Sequence, residues 1–148
     1  MDVWQASAVI DAARLRSQPA LADLDEHDLA RFARWVDEVR AESGDLLIEQ
    51  GSVPFELFLI ESGTVEVIRD GETIATLGPG GVVGEMALMA RQRRMASVRA
   101  RTAVVALALP ADAFAEIAAE MPEFADELRS LMAARSVPGA SSGGSDRA

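Results

Sequence analysis

Apolar positions recur along the chain at two different periods, and the switch between them divides it. Over the first sixteen residues Trp4, Ala8, Ala12 and Leu15 share one helical face, and Pro19 stops the run. A second helix is predicted over Asp28–Arg40. Asp25 caps it, Asp28 follows three residues on, and Leu29, Phe32, Ala33, Val36 and Val39 keep helical spacing up to the break at Gly44. From Asp45 to Pro110 the spacing becomes that of strands. Short runs over 45–50, 56–61, 64–69, 72–77, 95–101 and 102–109 are punctuated by Gly51, Gly63, the hairpin pair Asp70-Gly71 and Gly78-Pro79-Gly80-Gly81. Residues 102–109 are apolar at every position from Ala103 on, as a strand covered on both faces would be. Short strands with breaks every eight to twelve residues read as a β-sandwich or jelly roll. Pro110 returns the chain to helix with a stripe of Phe114, Ile117, Ala118 and Met121. Pro122 opens a last helix to Arg135 with Phe124, Leu128, Leu131 and Met132. The Ser/Gly-rich stretch 137–148 has little to bury and is expected to be disordered.

The 148 residues suit one domain, and 49% hydrophobic with 26% charged residues is ordinary for a globular one. No cysteine is present, which removes disulfides, cysteine–zinc sites and thiol chemistry. One histidine, His27, leaves no multi-histidine metal site, and a cupin-like metal enzyme would need one. Asp23, Asp25, Glu26, His27 and Asp28 form an acidic run that helix capping explains without a metal. A net charge of −10 argues against general nucleic-acid binding. No apolar run approaches the roughly 20 residues of a membrane helix, and no basic leader precedes the first helix, so a cytoplasmic protein is the default. All 14 basic residues are arginine, and five of them, Arg91, Arg93, Arg94, Arg99 and Arg101, fall within 11 residues with no acidic group between Met86 and Ala111. A positive island in an acidic chain suits a small anionic ligand.

That island lies in Gly81-Val82-Val83-Gly84-Glu85-Met86-Ala87-Leu88, followed by a short loop and Arg94-Met95-Ala96-Ser97-Val98. A glycine-rich break delivers Gly84-Glu85 into a helical turn expected over Met86–Ala90, whose unpaired N–H groups suit phosphate. Arg94 can hold two phosphate oxygens at once. Glu85 beside a phosphate makes sense if the ligand also offers a hydroxyl, as a sugar phosphate does.

These residues resemble the phosphate-binding cassette of the cyclic-nucleotide-binding domains found in cAMP receptor proteins, kinase regulatory subunits and gated channels. Gly44-Asp45 before an apolar strand ending at Gly51, and Leu59-Ile60-x-x-Gly63-x-Val65-x-Val67, are similar as well. The resemblance covers 21–136 and implies a mainly β fold: an eight-stranded β-roll with N-terminal helices, here 1–20 and onward, and two C-terminal helices. It implies that Arg94 pairs with the cyclic phosphate, with backbone N–H groups of Ala87 and Met95 completing the cradle. Glu85 and the Gly84 backbone would take the ribose 2′-OH. Val83, Met86 and Ala96 flank those contacts, and Val67, Ile74, Leu77 and Val83 would form an apolar wall. Arg93 stands where many members carry proline. Met95 stands where cGMP-selective members carry threonine, so cAMP is favoured over cGMP. The implied protein is no enzyme and needs no cofactor or metal. It binds cAMP, re-aims its last helix at Met121-Pro122 and acts on an unidentified protein effector or on an effector domain of a longer chain. Nucleic acid and membrane are not direct partners, and a homodimer is one way to bury the last helix. The alternative is a degenerate fold of the same type serving as a ligand-free assembly module.

Overall fold

The computed structural model describes residues 10–52, 56–84 and 96–134. Its strands are β1 (Asp37–Ala41), β2 (Leu46–Ile48), β3 (Glu56–Ser62), β4 (Val65–Arg69), β5 (Glu72–Leu77), β6 (Val82–Val83), β7 (Ser97–Ala100) and β8 (Val104–Pro110). They form two antiparallel sheets in the orders β1-β8-β3-β6 and β2-β7-β4-β5. This is the mainly β, eight-stranded roll with flanking helices that the cassette resemblance implies.

The period-two alternation explains why the central strands are apolar throughout. β3 turns Phe58 and Ile60 into the space between the sheets and Leu57 and Leu59 outward under the helices. β8 does the same with Ala106 and Ala108 inward and Leu107 and Leu109 outward, and β6 with Val83 inward and Val82 outward. The small alanines of β8 let Phe58, Val65, Val67 and Val98 fill the interior. Each fully buried leucine contributes about 1.5–3 kcal/mol. The β4–β5 turn has Asp70 at φ 52° and Gly71 at φ 84°, the left-handed pair that a two-residue hairpin requires.

Helices α1 (Ala12–Arg16), α2 (Glu26–Phe32), α3 (Ala111–Glu120) and α4 (Pro122–Ala133), with a 3-10 turn at Pro19–Leu21, supply the cover for the outward leucines. Three elements differ from the sequence pattern. The helix predicted over Asp28–Arg40 ends at Phe32, and Asp37–Ala41 is a strand instead. Its register with β8, Asp37↔Ala108 through Ala41↔Val104, satisfies its backbone in a ladder and turns β-branched Val39 against the inner core. Among the described residues, helix α1 begins at Ala12, because Asp11 is extended and its side chain accepts from the Arg14 N–H at 2.9 Å. Trp4 and Ala8 lie outside the described residues, as do residues 137–148. Val82 and Val83, which follow the predicted break at Gly78–Gly81 and belong to no predicted strand, pair with Leu59 and Phe58 as β6. The acidic run does cap: Asp25 accepts from the Asp28 N–H at 2.8 Å.

α4 also lies in an unforeseen place. Phe124, Ala125 and Leu128 are buried with Leu15, Leu21, Leu24 and Phe32. The Phe32 and Phe124 rings meet edge-to-face at 6.3 Å. Phe124 and Leu128 of its apolar stripe are therefore covered within the chain, and Leu131 in part, in the cluster that the N-terminal helices form with the outward leucines of β3 and β8.

Candidate functional site

The short strand β6 positions the start of the cassette. The Ile60 N–H donates to the Gly81 carbonyl at 2.9 Å and the Gly80 N–H to the Ile60 carbonyl at 2.8 Å, so the β3 register continues through the glycine run into Val82–Val83. A Cβ on Gly81 would lie 2.8 Å from Cδ2 of Leu77, and one on Gly80 would lie 3.1 Å from Cγ of Pro19. The glycines thus admit Leu77 from the opposite sheet and Pro19 from the N-terminal turn. Gly84 then takes φ 84°, a left-handed bend that favours glycine and turns the chain off the sheet edge. The chain enters the second sheet again at Ala96, buried in the core between the sheets, and at Ser97, paired with Ile68.

Glu85, Met86, Ala87, Arg94 and Met95, with the turn expected over Met86–Ala90, lie outside the described residues. Of the remaining predicted site residues, Val67, Val83 and Ala96 belong to one inner core and Leu77 packs against it. Ile74 does not join them. It falls between the pairs Val67↔Ala75 and Ile68↔Thr73, so it is the extra residue of a β-bulge, 43% exposed on the edge strand.

The positive island divides. Val98 and Ala100 face the core, so Arg99 faces out, where its Nε and Nη2 donate to Glu66 Oε2 at 3.1 and 2.9 Å. Those bonds, with one from Thr73, hold the Glu66 carboxyl below its ordinary value. Arg101 is exposed. Arg91 and Arg93 lie outside the described residues with Arg94.

Three supporting contacts have no signature in the sequence pattern. Ser97 Oγ accepts from the Gln50 N–H at 2.9 Å, tying the end of the cassette to the loop after β2. Buried Gln18 donates to the same Ile60 carbonyl that receives the Gly80 N–H, at 3.0 Å. Arg14 clamps α1 to the sheet. Its Nε and Nη2 each meet a Glu61 oxygen at 2.7 Å, and Nη2 also donates to Glu38 at 2.9 Å. The Glu61 bonds raise the Arg14 guanidinium further despite burial. Burial pushes the Glu38 carboxyl up, but the bonds from Arg14 and Arg40 outweigh it and hold it low. Only tertiary pairing reveals such contacts, since an arginine in a helix or a glutamine in a turn reads as solvated surface.

A family model described as the cyclic nucleotide-binding domain matches residues 38–121, from β1 to the end of α3. The chain belongs to that family. Glutaminase 2 of Bradyrhizobium diazoefficiens is 36% identical over 127 residues, 85% of this chain and 20% of that protein. The cAMP-dependent protein kinase regulatory subunit of Schizosaccharomyces pombe is 34% identical over 89 residues, 60% of this chain and 22% of that one. This cyclic nucleotide-binding domain thus spans about a fifth of the length of these curated relatives. Among solved structures, the N-terminal domain of a transcriptional regulator from Streptomyces coelicolor superposes with a TM-score of 0.69 at 31% identity, covering 82% of this chain and 91% of that one.

Proposed function

We propose that this cyclic nucleotide-binding domain is a cAMP-responsive regulatory module, not an enzyme, working in the cytoplasm on a protein effector or a further domain. The observation that supports it most is the placement of the cassette's two ends. Val83-Gly84 leaves one sheet and Ala96-Ser97 enters the other, both from the same apolar core, and the residues between them carry Glu85 and Arg94. In this reading Arg94 holds the cyclic phosphate with backbone N–H groups of Ala87 and Met95, and Glu85 and Gly84 take the ribose hydroxyl. Met86, Val83, Ala96, Val67, Leu77 and Ile74 surround the sugar and base. Met95 offers no hydroxyl, which favours cAMP over cGMP. Ligand binding shifts α4 away from the N-terminal helices, a two-state bias set by differential affinity. The occurrence of a similar stretch in proteins named as a glutaminase and as a kinase regulatory subunit suits an input unit paired with different outputs.

Titration calorimetry of cAMP and cGMP into protein stripped of co-purified nucleotide tests this. Saturable cAMP binding, weaker cGMP binding and at least a tenfold loss in Arg94→Ala are expected, since truncating one member of a buried charge pair costs about 2–5 kcal/mol. Absence of binding to either nucleotide overturns the ligand assignment in favour of a ligand-free interaction module.

A further inference from the structure

The junction of α3 and α4 forms one wall of an open groove of about 470 Å³, closed on the other side by α2 and lined by Asp28, Met121, Pro122, Glu123, Phe124 and Glu127. Its polar groups are all carboxylates. Glu123 and Glu127 stand four residues apart on α4 and so share a face, where like charges repel. Asp28 faces them from α2. Among the described residues, none of the three side chains has an ion-pair or hydrogen-bond partner. Arg31, one turn on from Asp28, is already directed to Glu120 at 3.9 Å. Met121, Pro122 and Phe124 give the same groove an apolar floor.

We propose that this groove docks a cationic peptide segment of a partner protein, in which one apolar side chain is flanked by arginines. The volume suits one large apolar side chain with a guanidinium on either side. Arginines would relieve the repulsion along α4, and the apolar residue would cover Met121 and Phe124. An anionic ligand or an acidic surface is excluded by the same charges. Docking itself does not depend on the cyclic nucleotide. The groove does straddle the α3–α4 junction and α2, so an occupant touches both sides of the joint and holds α4 in the angle seen here. If cAMP re-aims α4, the peptide and cAMP must then weaken one another by equal factors.

The test uses the full chain and a fluorescein-labelled peptide, Gly-Arg-Arg-Leu-Arg-Arg-Gly, followed by fluorescence anisotropy. Two variants with equal charge are compared, the groove variant Asp28→Asn/Glu123→Gln/Glu127→Gln and a remote one, Asp37→Asn/Glu49→Gln/Asp112→Asn, built at exposed positions. Saturable binding that falls at least tenfold in the groove variant and less than threefold in the remote one is expected. A peptide with Ser in place of Leu should bind at least fivefold more weakly. No saturable binding overturns the proposal. So does an equal loss in both variants, which would mean diffuse attraction to an acidic protein, or equal binding of the Ser peptide. Because cAMP is absent from these arms, their outcome is independent of the nucleotide assignment.

Discussion

Val67 and Ile74 are both placed in the proposed apolar wall, and burial separates what each can do. Val67 is fully buried between the sheets, so removing its two methyl groups leaves a cavity beside Val98 and Ala75. Val67→Ala should cost about 2 kcal/mol of stability whatever the ligand does. Ile74 is 43% exposed at its bulge. Ile74→Ala should change stability by no more than about 0.5 kcal/mol. If its side chain covers the base, the same change should weaken cAMP by about fivefold, roughly 1 kcal/mol. Thermal unfolding and calorimetry on the two variants separate these roles, and unchanged cAMP affinity in Ile74→Ala removes that residue from the wall. The contrast also marks how far the site was legible. Glu85 and Arg94 stand out in the sequence because a carboxylate after a Gly-rich break and an arginine in an acid-free stretch are chemically unusual. An apolar residue in a strand carries no such mark, since packing and ligand contact ask for the same side chain. Only tertiary register shows that Val67 is interior and Ile74 is not.

At the scale of elements, the hairpin strands β4 and β5 and the helices α3 and α4 follow directly from local pattern, with Gly, Pro and Asp-Gly fixing their ends. β1 does not. Val36 and Val39 fit a helix as well as a strand, and the choice is made by β8, far along the chain. β6 is hidden for a related reason: two valines between glycines have no period, and their strand character comes from β3. α4 shows the same limit in its packing. Its stripe is plain in the sequence, yet nothing local says that Phe32 and Leu21 receive it. That packing sets a definite expectation. Leu128 is fully buried, so Leu128→Ala should destabilise the free protein by about 2–4 kcal/mol in denaturant unfolding. If cAMP moves α4 out of its slot, amide exchange across residues 124–131 should change on saturation with cAMP, together with that of the Phe32 turn it leaves. Unchanged exchange in both segments would rule out α4 as the moving element.

For the molecule as a whole, the 24 acidic against 14 basic groups make pH a global variable, and the Arg14 clamp is where its effect is most specific. The clamp joins α1 to β3 through Glu61 and to β1 through Glu38, so it ties the helical layer to two strands of one sheet. Folding lowers the Glu38 carboxyl below the ordinary glutamate value of 4.5. A carboxyl that binds its proton less readily when folded stabilises the fold while ionised. The contribution is therefore complete above the ordinary value and is lost as pH falls through the lowered one. Overall stability need not follow that curve, because protonating exposed carboxylates also relieves the repulsion of a chain at −10. The difference between the native protein and Glu38→Gln cancels this shared background. Glutamine keeps an oxygen for the Arg14 donor but loses the charge and the second oxygen, which accepts from Arg40, so the native protein should be more stable by about 1–2 kcal/mol at pH 7. That gap should stay level above the ordinary value of 4.5 and close as pH falls below it through the lowered one. It should persist in 0.5 M NaCl, because Arg14 and Glu38 are both largely shielded from solvent. Urea unfolding of the two proteins between pH 3 and 7 measures it directly. A gap that does not change with pH would mean that shape rather than charge holds α1 to the sheet.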